Sequence, residues 1–533
     1  MTTEQPDPEA PADERPETPT RPAMPLAPPA PRGFAALAGL VAGGLAVTIG
    51  MLVAAITDVV SPIDAVGSEV IDRAPRSVKE QAIRWFGTND KLALRIGIIS
   101  ILAIAALALG IVAARRIRVG VAGIAAFGLV GALAAAHRPN ETLGAAVPSV
   151  LGAIVGATVL HRSLRPRPMQ VPGVSQAPLG WDRRRFLATS GAAAIGATAA
   201  GTIAQALEGK RVEKIRAATR VPLPANVPAA EMPDIPPEAE VFDDTPFITA
   251  NGDFYRIDTA LSFPRIDVDS WSFEITGMVD TPLTVTYADL LAMPQVERVI
   301  TLCCVSNEVG GEYISNAVWR GVLLKDLLDK AGVQPAAEQV FSTSLDGWTC
   351  GFPVAAAMDG RDAMIAVGMN GETLPLDHGY PARLVIPGLY GYVSGTKWLA
   401  KIELTTWDKE GFWVPRGWAQ QAPIKTQSRI DVPNKKTVLA GKQAIAGVAW
   451  AQHRGIEKVE VQLDDGDWQQ ATLGADVTDD AWRQWLLEWD ATPGMHLIKV
   501  RATDKTGETQ TADFAPPAPD GATGYHTIRV TVK

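Results

Sequence analysis

The sequence predicts three folds in series: amino-terminal membrane-spanning α-helices, an α+β domain, and a carboxy-terminal β-sandwich. Three observations predict this. Four apolar stretches near the amino terminus each approach the ~20 residues that an α-helix needs to cross a bilayer. Past residue 241 the composition becomes that of an ordinary globular protein, with strand and helix patterns interleaved. Past Trp418 only short strands separated by turn residues follow. A length of 533 residues suits several domains, and 47% apolar content is high for a chain without a membrane part. The net charge of −9 leaves no basic footprint for nucleic acid, which is excluded as a partner.

Residues 1–32 are rich in Pro, Glu, Asp and Ala, a composition that cannot offset the entropy of ordering, and they read as a disordered cytoplasmic tail. Residues 33–163 hold the four spans, Phe34 to Ile56, Leu92 to Ala114, Val119 to Ala136 and Leu143 to Leu160, with Gly and Ala suited to close helix packing. Arg115, Arg116 and Arg118 between spans two and three, and Arg162, Arg165 and Arg167 after span four, place those ends in the cytoplasm. The loop from Thr57 to Lys91 is then outside, although it carries Arg73, Arg76, Lys79 and Arg84.

Residues 164–210 contain Asp182-Arg183-Arg184-Arg185-Phe186-Leu187-Ala188 ahead of a small apolar run, Thr189 to Ala206. This segment resembles a twin-arginine export signal placed internally, and it doubles as a fifth helix. It lacks an Ala-x-Ala cleavage site and is expected to stay as an anchor. Either way the rest of the chain lies on the extracytoplasmic side of a multi-pass cell-membrane protein. Residues 211–241 form a Pro- and Ala-rich linker.

Residues 242–420 form the α+β domain. Trp271 to Gly277 and Leu283 to Tyr287 alternate as half-buried strands, and Leu323 to Ala331 has helical spacing with Gly332 as its stop. Residues 421–533 read as the sandwich, with strands at Gln443–Ala451, Lys458–Leu463, Trp485–Trp489, Leu497–Ala502 and Thr527–Val532, and a hairpin turn at Asp464-Asp465-Gly466-Asp467. Trp450 and Trp468 are expected in the sandwich core.

The chemistry centres on Thr301-Leu302-Cys303-Cys304-Val305-Ser306-Asn307, in a chain of only three cysteines. A thiolate here suits a soft metal rather than a disulfide. A single free Cys more often packs as a small apolar side chain. The wider pattern changes that balance. Asn251-Gly252-Asp253-Phe254-Tyr255-Arg256, Thr301 to Asn307, Ile314 to Val322, Asn370 to Arg383 and Lys397-Trp398-Leu399 occur in that order.

Together these motifs resemble the sulfite oxidase-type molybdopterin-dependent oxidoreductases, from about Phe242 to the end. The resemblance implies a molybdopterin-binding catalytic domain, an immunoglobulin-like sandwich that often dimerises, and one molybdenum cofactor per chain. It implies Cys304, three residues before Asn307, as the metal ligand and the one catalytic side chain. His378, Arg383 and Lys397 would contact the pterin phosphate, with Ser394, Gly395 and Thr396 as backbone donors. Asn251, Tyr255, Arg256 and, less directly, Thr343 or Ser344 complete the cofactor set.

One departure from the family stands out. A substrate-binding arginine of the sulfite-oxidising members falls here on Val309, which disfavours a small anion and leaves room for a sulfoxide-type oxo substrate. Trp319, Trp348, Trp413 and Trp418 are candidates to line that pocket or to fill the core. Absence of Cys-x-x-Cys-His and the placement of His137 and His161 at opposite membrane faces argue against haem, so a separate electron carrier is expected. A non-catalytic binding module and a transporter are the other readings. Cys304 opposes the first, and the lack of Asp and Glu within the spans opposes the second.

Overall fold

The computed structural model describes residues 29–86, 89–139, 141–168, 179–224, 230–231 and 233–533. Most of the expected tail (residues 1–28), and parts of the linker, lie outside the described residues. The described amino-terminal region is mostly helical, with one short antiparallel pair, Arg167–Pro168 on Leu179–Gly180. Its helices are α1 (Arg32–Thr57), α2 (Pro62–Arg73), α3 (Arg76–Phe86), α4 (Asp90–Ala113), α5 (Ile117–Ala136), α6 (Val147–Leu164) and α7 (Arg183–Thr219). Among the described residues, five helices are long and apolar enough to cross a membrane: α1, α4, α5, α6 with the short turn before it, and α7. Where α1 crosses α4, Gly39 faces Gly110. A Cβ on Gly39 would run into the backbone of Ala106 and of Gly110, so small residues set this close approach.

Two expectations change here. The segment from Thr57 to Lys91 is not a simple loop, because α2 and α3 occupy much of it; Ser61 caps α2 through the Asp64 N–H. The expected helix at Thr189–Ala206 is longer at both ends. Asp182 accepts hydrogen bonds from the Arg184 and Arg185 N–H groups, and the helix runs on to Thr219, into the expected linker. Helix-forming Gln, Leu, Glu, Lys and Arg between residues 205 and 216 explain the extension.

The α+β domain holds two sheets. One runs Glu372–Thr373, Met364–Met369, Ile314–Leu323, Val296–Cys303, with Arg383–Val385 also on Met364–Met369. The other runs Leu283–Thr286, Ser272–Gly277, Leu399–Thr405, Gln339–Ser344, Thr349–Pro353, with one parallel pair, Ser272–Gly277 on Leu399–Thr405. The helix Leu324–Ala331 ends at Gly332 in the left-handed conformation. Past Tyr287 the predicted strand instead starts a helix, Tyr287–Ala292, held by a capping box between Thr286 and Asp289.

The carboxy-terminal region pairs a four-stranded sheet with a five-stranded one. Ile445, Ala449 and Trp485 from the first pack against Val459, Val461, Ile498, Val500 and Val530 from the second, which makes a sandwich. Strand Gln427–Val432, on Gly441–Trp450, has no counterpart in the expected set. Trp450 and Trp468 do not sit where expected. Trp450 is fully buried but belongs to the core of the α+β domain, alongside Ala481 and Trp482. Trp468 lies partly exposed on a short strand under the Arg501 guanidinium, 4.2 Å from its ring. The two cores are thus joined through one strand, whose faces point into different domains.

A buried carboxyl marks this joint. Asp480 accepts the Thr301 N–H on its backbone oxygen, and its Oδ1 has no hydrogen-bond partner among the described residues, with His453 Nδ1 3.9 Å away. Burial raises it from 3.8 to about 7. For an acid raised in the folded state, stability is fully present below 3.8 and is lost as pH rises through this window towards about 7. The Asp480→Asn variant should therefore gain melting temperature over the parent chain between about pH 4 and about pH 8, the gain growing with pH. A pH-independent gain in detergent melting curves would contradict this.

The apolar helices and the α+β domain meet at one end of the helical bundle. Arg265 pairs with Asp58 and donates to the Val59 carbonyl, and Arg95 bonds the Leu261 carbonyl at 2.7 Å. Arg138 bridges Asp72 and the Asp346 carbonyl, and Arg416 reaches the Asp72 carbonyl. A cavity of about 230 Å³ lies in this joint, lined by Asp72, Arg138, Glu141, Arg265, Asp346 and Trp348 among others.

Candidate active site

Strand Val296–Cys303 ends at Cys303, and the chain then turns, so successive cysteines face different surroundings. Cys303 is buried in the main core, with the Arg429 guanidinium on its side. Cys304 is 8% exposed and lies within electrostatic reach of Lys397. Its N–H bonds the Tyr313 carbonyl, and its carbonyl accepts the Asn307 N–H. Asn307 in turn accepts the Tyr313 N–H on its side-chain oxygen. Burial pushes the Cys304 thiol up, while the backbone N–H and hydroxyl of Ser306 favour the thiolate. The loop is braced by the sandwich. A Cβ on Gly310, which has φ +76°, would strike His526, and Arg429 donates to the Gly311 carbonyl at 3.0 Å.

Five of the ten expected cofactor residues gather beside a pair of acids. Lys397 donates to Asp258 at 3.2 Å and to the Asp377 carbonyl at 3.1 Å. Arg256 joins the same two residues, Asp258 at 2.9 Å and Asp377 at 3.0 Å. Arg383 is 5% exposed, donates to the His378 carbonyl at 3.1 Å and lies over the Trp319 ring. His378 donates from Nε2 to the Asn251 carbonyl, 2.8 Å away. Tyr255 is stacked on Phe254, which packs edge-on against His378.

The electrostatics follow from burial. It lowers Lys397 from 10.5 to about 8 against the pull of Asp258. It lowers Arg383 from 12.5 to about 10. It would also raise Asp258, but Lys397, Lys91 and Arg256 together hold that carboxyl well below its usual range. His378 falls to about 4, by burial first and then by Lys397, so the ring is neutral. With Nε2 donating, Nδ1 is an acceptor, and it has no partner among the described residues. In this neutral form Nδ1 suits a hydrogen-bond donor.

The remaining expectations fare unevenly. Asn251 is near the cluster but its amide is committed to Glu372 and Asn370. Ser394 bonds the Tyr390 carbonyl, and the Gly395 N–H is taken by the Gly391 carbonyl, so Gly395 cannot be the backbone donor expected of it. The Thr396 hydroxyl turns to Ser342 and Cys350 in the other sheet. Thr343 sits in that sheet too, in register with Thr349 and Lys401. Trp319 is a core residue whose indole N–H meets the Ile300 carbonyl, Trp348 lines the cavity between the apolar helices and the α+β domain, and Trp413 packs edge-on against Trp418, which packs on Tyr392. Asp258, Asp377 and Ser306 escaped the sequence reading, although each lies within two residues of a residue it named.

Comparison with known proteins bears on this geometry. The family model for the oxidoreductase molybdopterin binding domain matches residues 260–413. The uncharacterized oxidoreductase YuiH of Bacillus subtilis (strain 168) is 34% identical over 152 residues, covering 28% of this chain and 74% of that protein. The chain belongs to the sulfite oxidase-type molybdopterin oxidoreductases. Mitochondrial sulfite oxidase of Macaca fascicularis is 30% identical over 320 residues, with 51% of this chain and 58% of that protein covered. The chain thus spans little more than half the length of that relative. The sulfane dehydrogenase SoxCD from Paracoccus pantotrophus aligns in structure with a TM-score of 0.48 and 27% identity, over 55% of this chain and 83% of that one.

A molybdopterin fits the residues of this member of the family. An acceptor at His378 Nδ1 and a donor at Asn307 Nδ2 are buried without partners, which the cofactor's donors and acceptors would satisfy. Lys397 makes two hydrogen bonds from three N–H groups, and a phosphate can take the third.

Proposed function

We propose that the chain is a membrane-anchored oxidoreductase whose catalytic domain lies outside the cytoplasm and uses a molybdenum centre bound through the Cys304 thiolate. When bound, the cofactor supplies two-electron oxygen-atom transfer chemistry. Around it, Cys304 fixes the metal, Ser306 favours the thiolate, and Lys397, Arg256 and Arg383 complement the phosphate. His378 accepts a hydrogen bond from the pterin ring system. The observation that carries this reading is the convergence of Cys304, Lys397 and Arg383 from separate motifs onto one buried, positively charged site.

The orientation rests on charge and on placement. Arg115, Arg116, Arg162 and Arg165 sit at the helix ends away from the catalytic domain, which docks on Asp58, Asp72 and Lys91 at the other end. The twin-arginine-like start of α7 lies with the first group: Phe186 and Trp181 pack on Phe34 at the start of α1. The sandwich is read as the family's immunoglobulin-like domain and as a candidate homodimer surface. Electrons are exchanged with a separate carrier.

The substrate is a small oxo compound. Val309, half-buried in the Cys304 loop, removes a charge that a sulfite-oxidising site would use, and favours a sulfoxide-type substrate reduced on the same fold. Installing Val309→Arg should lower the KM for sulfite by about tenfold or more, the worth of one charge-assisted contact. Steady-state assays with sulfite and with a sulfoxide decide this. Parent turnover of sulfite that Val309→Arg does not improve would refute the role given to Val309.

A further inference from the structure

The catalytic domain and the membrane helices share more than a docking surface. Asp258, 7% exposed at its side chain, is held by Arg256 and Lys397 from its own domain and by Lys91 from the first turn of α4. Asp377 takes Arg256 from its own domain and both Nε and Nη2 of Arg216, from the last turn of α7, at 3.1 and 3.0 Å. Phe263 lies under both guanidinium groups, 4.6 Å from Arg256 and 5.5 Å from Arg216.

Charge bookkeeping separates the contributions. Within the catalytic domain, the cations Arg256 and Lys397 match the carboxylates Asp258 and Asp377, a neutral set. Lys91 and Arg216 add two positive charges, and both come from membrane helices. Arg383, whose bonds run to the His378 and Leu384 carbonyls, adds a further one. A dianionic phosphate needs such a surplus, and a buried cation paired one-to-one with a carboxylate offers little net attraction.

We propose that Lys91 and Arg216 are part of the cofactor site: as positioning residues they neutralise Asp258 and Asp377, so that Lys397 and Arg256 keep net charge for the pterin phosphate. The membrane helices are then a structural half of the phosphate cradle. This rests on the cofactor reading above. It also assigns these helices a function that an anchor alone would not need. Neither residue touches the metal ligand.

The test uses the full-length chain in detergent, with molybdenum and pterin per chain measured before and after prolonged dialysis, alongside melting curves. Lys91→Met keeps the aliphatic stem, and Arg216→Gln keeps hydrogen-bonding capacity. Each should release cofactor about tenfold faster than the parent, a size usual for residues that orient a ligand through another group. Lys91→Arg should restore retention. The effect of Lys91→Met should shrink when Lys397→Ala is already present, because both act through Asp258. Parent-like retention in Lys91→Met and Arg216→Gln, with Lys397→Ala releasing cofactor, would overturn the proposal and leave the function reading standing. So would failure of Lys91→Arg to restore retention in a chain that melts like the parent. Full retention in Lys397→Ala and Arg383→Ala as well would instead refute the cofactor reading.

Discussion

Replacing Cys304 by Ser should abolish turnover, by about a hundredfold at the least, while the melting temperature stays within a few degrees of the parent. The reasoning starts from burial. Serine is nearly isosteric, and the Cys304 backbone, not its sulfur, makes the bonds to Tyr313 and Asn307 that shape the loop. What changes is the ligand: a hydroxyl at this buried position is a harder donor and a far weaker acid than a thiol. The matching control is Cys303→Ser. Cys303 is 2% exposed and packed in the main core, so that variant should lose stability and keep its metal. Activity and melting curves measured on both variants check the pair. A Cys303→Ser chain that loses metal while Cys304→Ser keeps it would reverse the assignment.

Lys397→Ala should carry the second largest effect, on cofactor retention rather than on folding. Asp258 keeps Lys91 and Arg256 when Lys397 is removed, so no buried charge is left unpaired. The cofactor loses one charge-assisted contact, worth about 1.5–3 kcal/mol, or roughly ten- to a hundredfold in affinity. The pH dependence is diagnostic. Burial brings Lys397 to about 8, so its charge is present below that value and lost above it. Dianion binding needs the charge. Retention in the parent should therefore fall as pH rises past about 8, and the Lys397→Ala chain should lack that step. Dialysis at a series of pH values, with pterin measured by fluorescence, gives the result.

How much of this was legible in the sequence depended on range. The spacing from Cys304 to Asn307 and the cluster from His378 to Arg383 are local, and composition alone located the five apolar helices. The ion network was not legible. Lys91 and Asp258 lie 167 positions apart, and Arg216 and Asp377 lie 161 apart, so no window holds both partners. Arg216 reads as a linker residue until the fold extends α7 and brings it to Asp377. Trp450 failed for a different reason: a strand shared by two cores has no outward face, and alternation cannot tell which core owns a residue. Gly395 failed because a short helix, Gly391–Ser394, absorbs its N–H, and nothing in Ser394-Gly395-Thr396 announces one.

The most direct test of the account is X-ray absorption at the molybdenum edge on the full-length chain and on its Cys304→Ser variant. The account predicts molybdenum in the parent with a protein thiolate in addition to the pterin sulfurs, and one sulfur fewer in the variant. An unchanged sulfur count in Cys304→Ser, or a parent chain that carries no molybdenum, would contradict it.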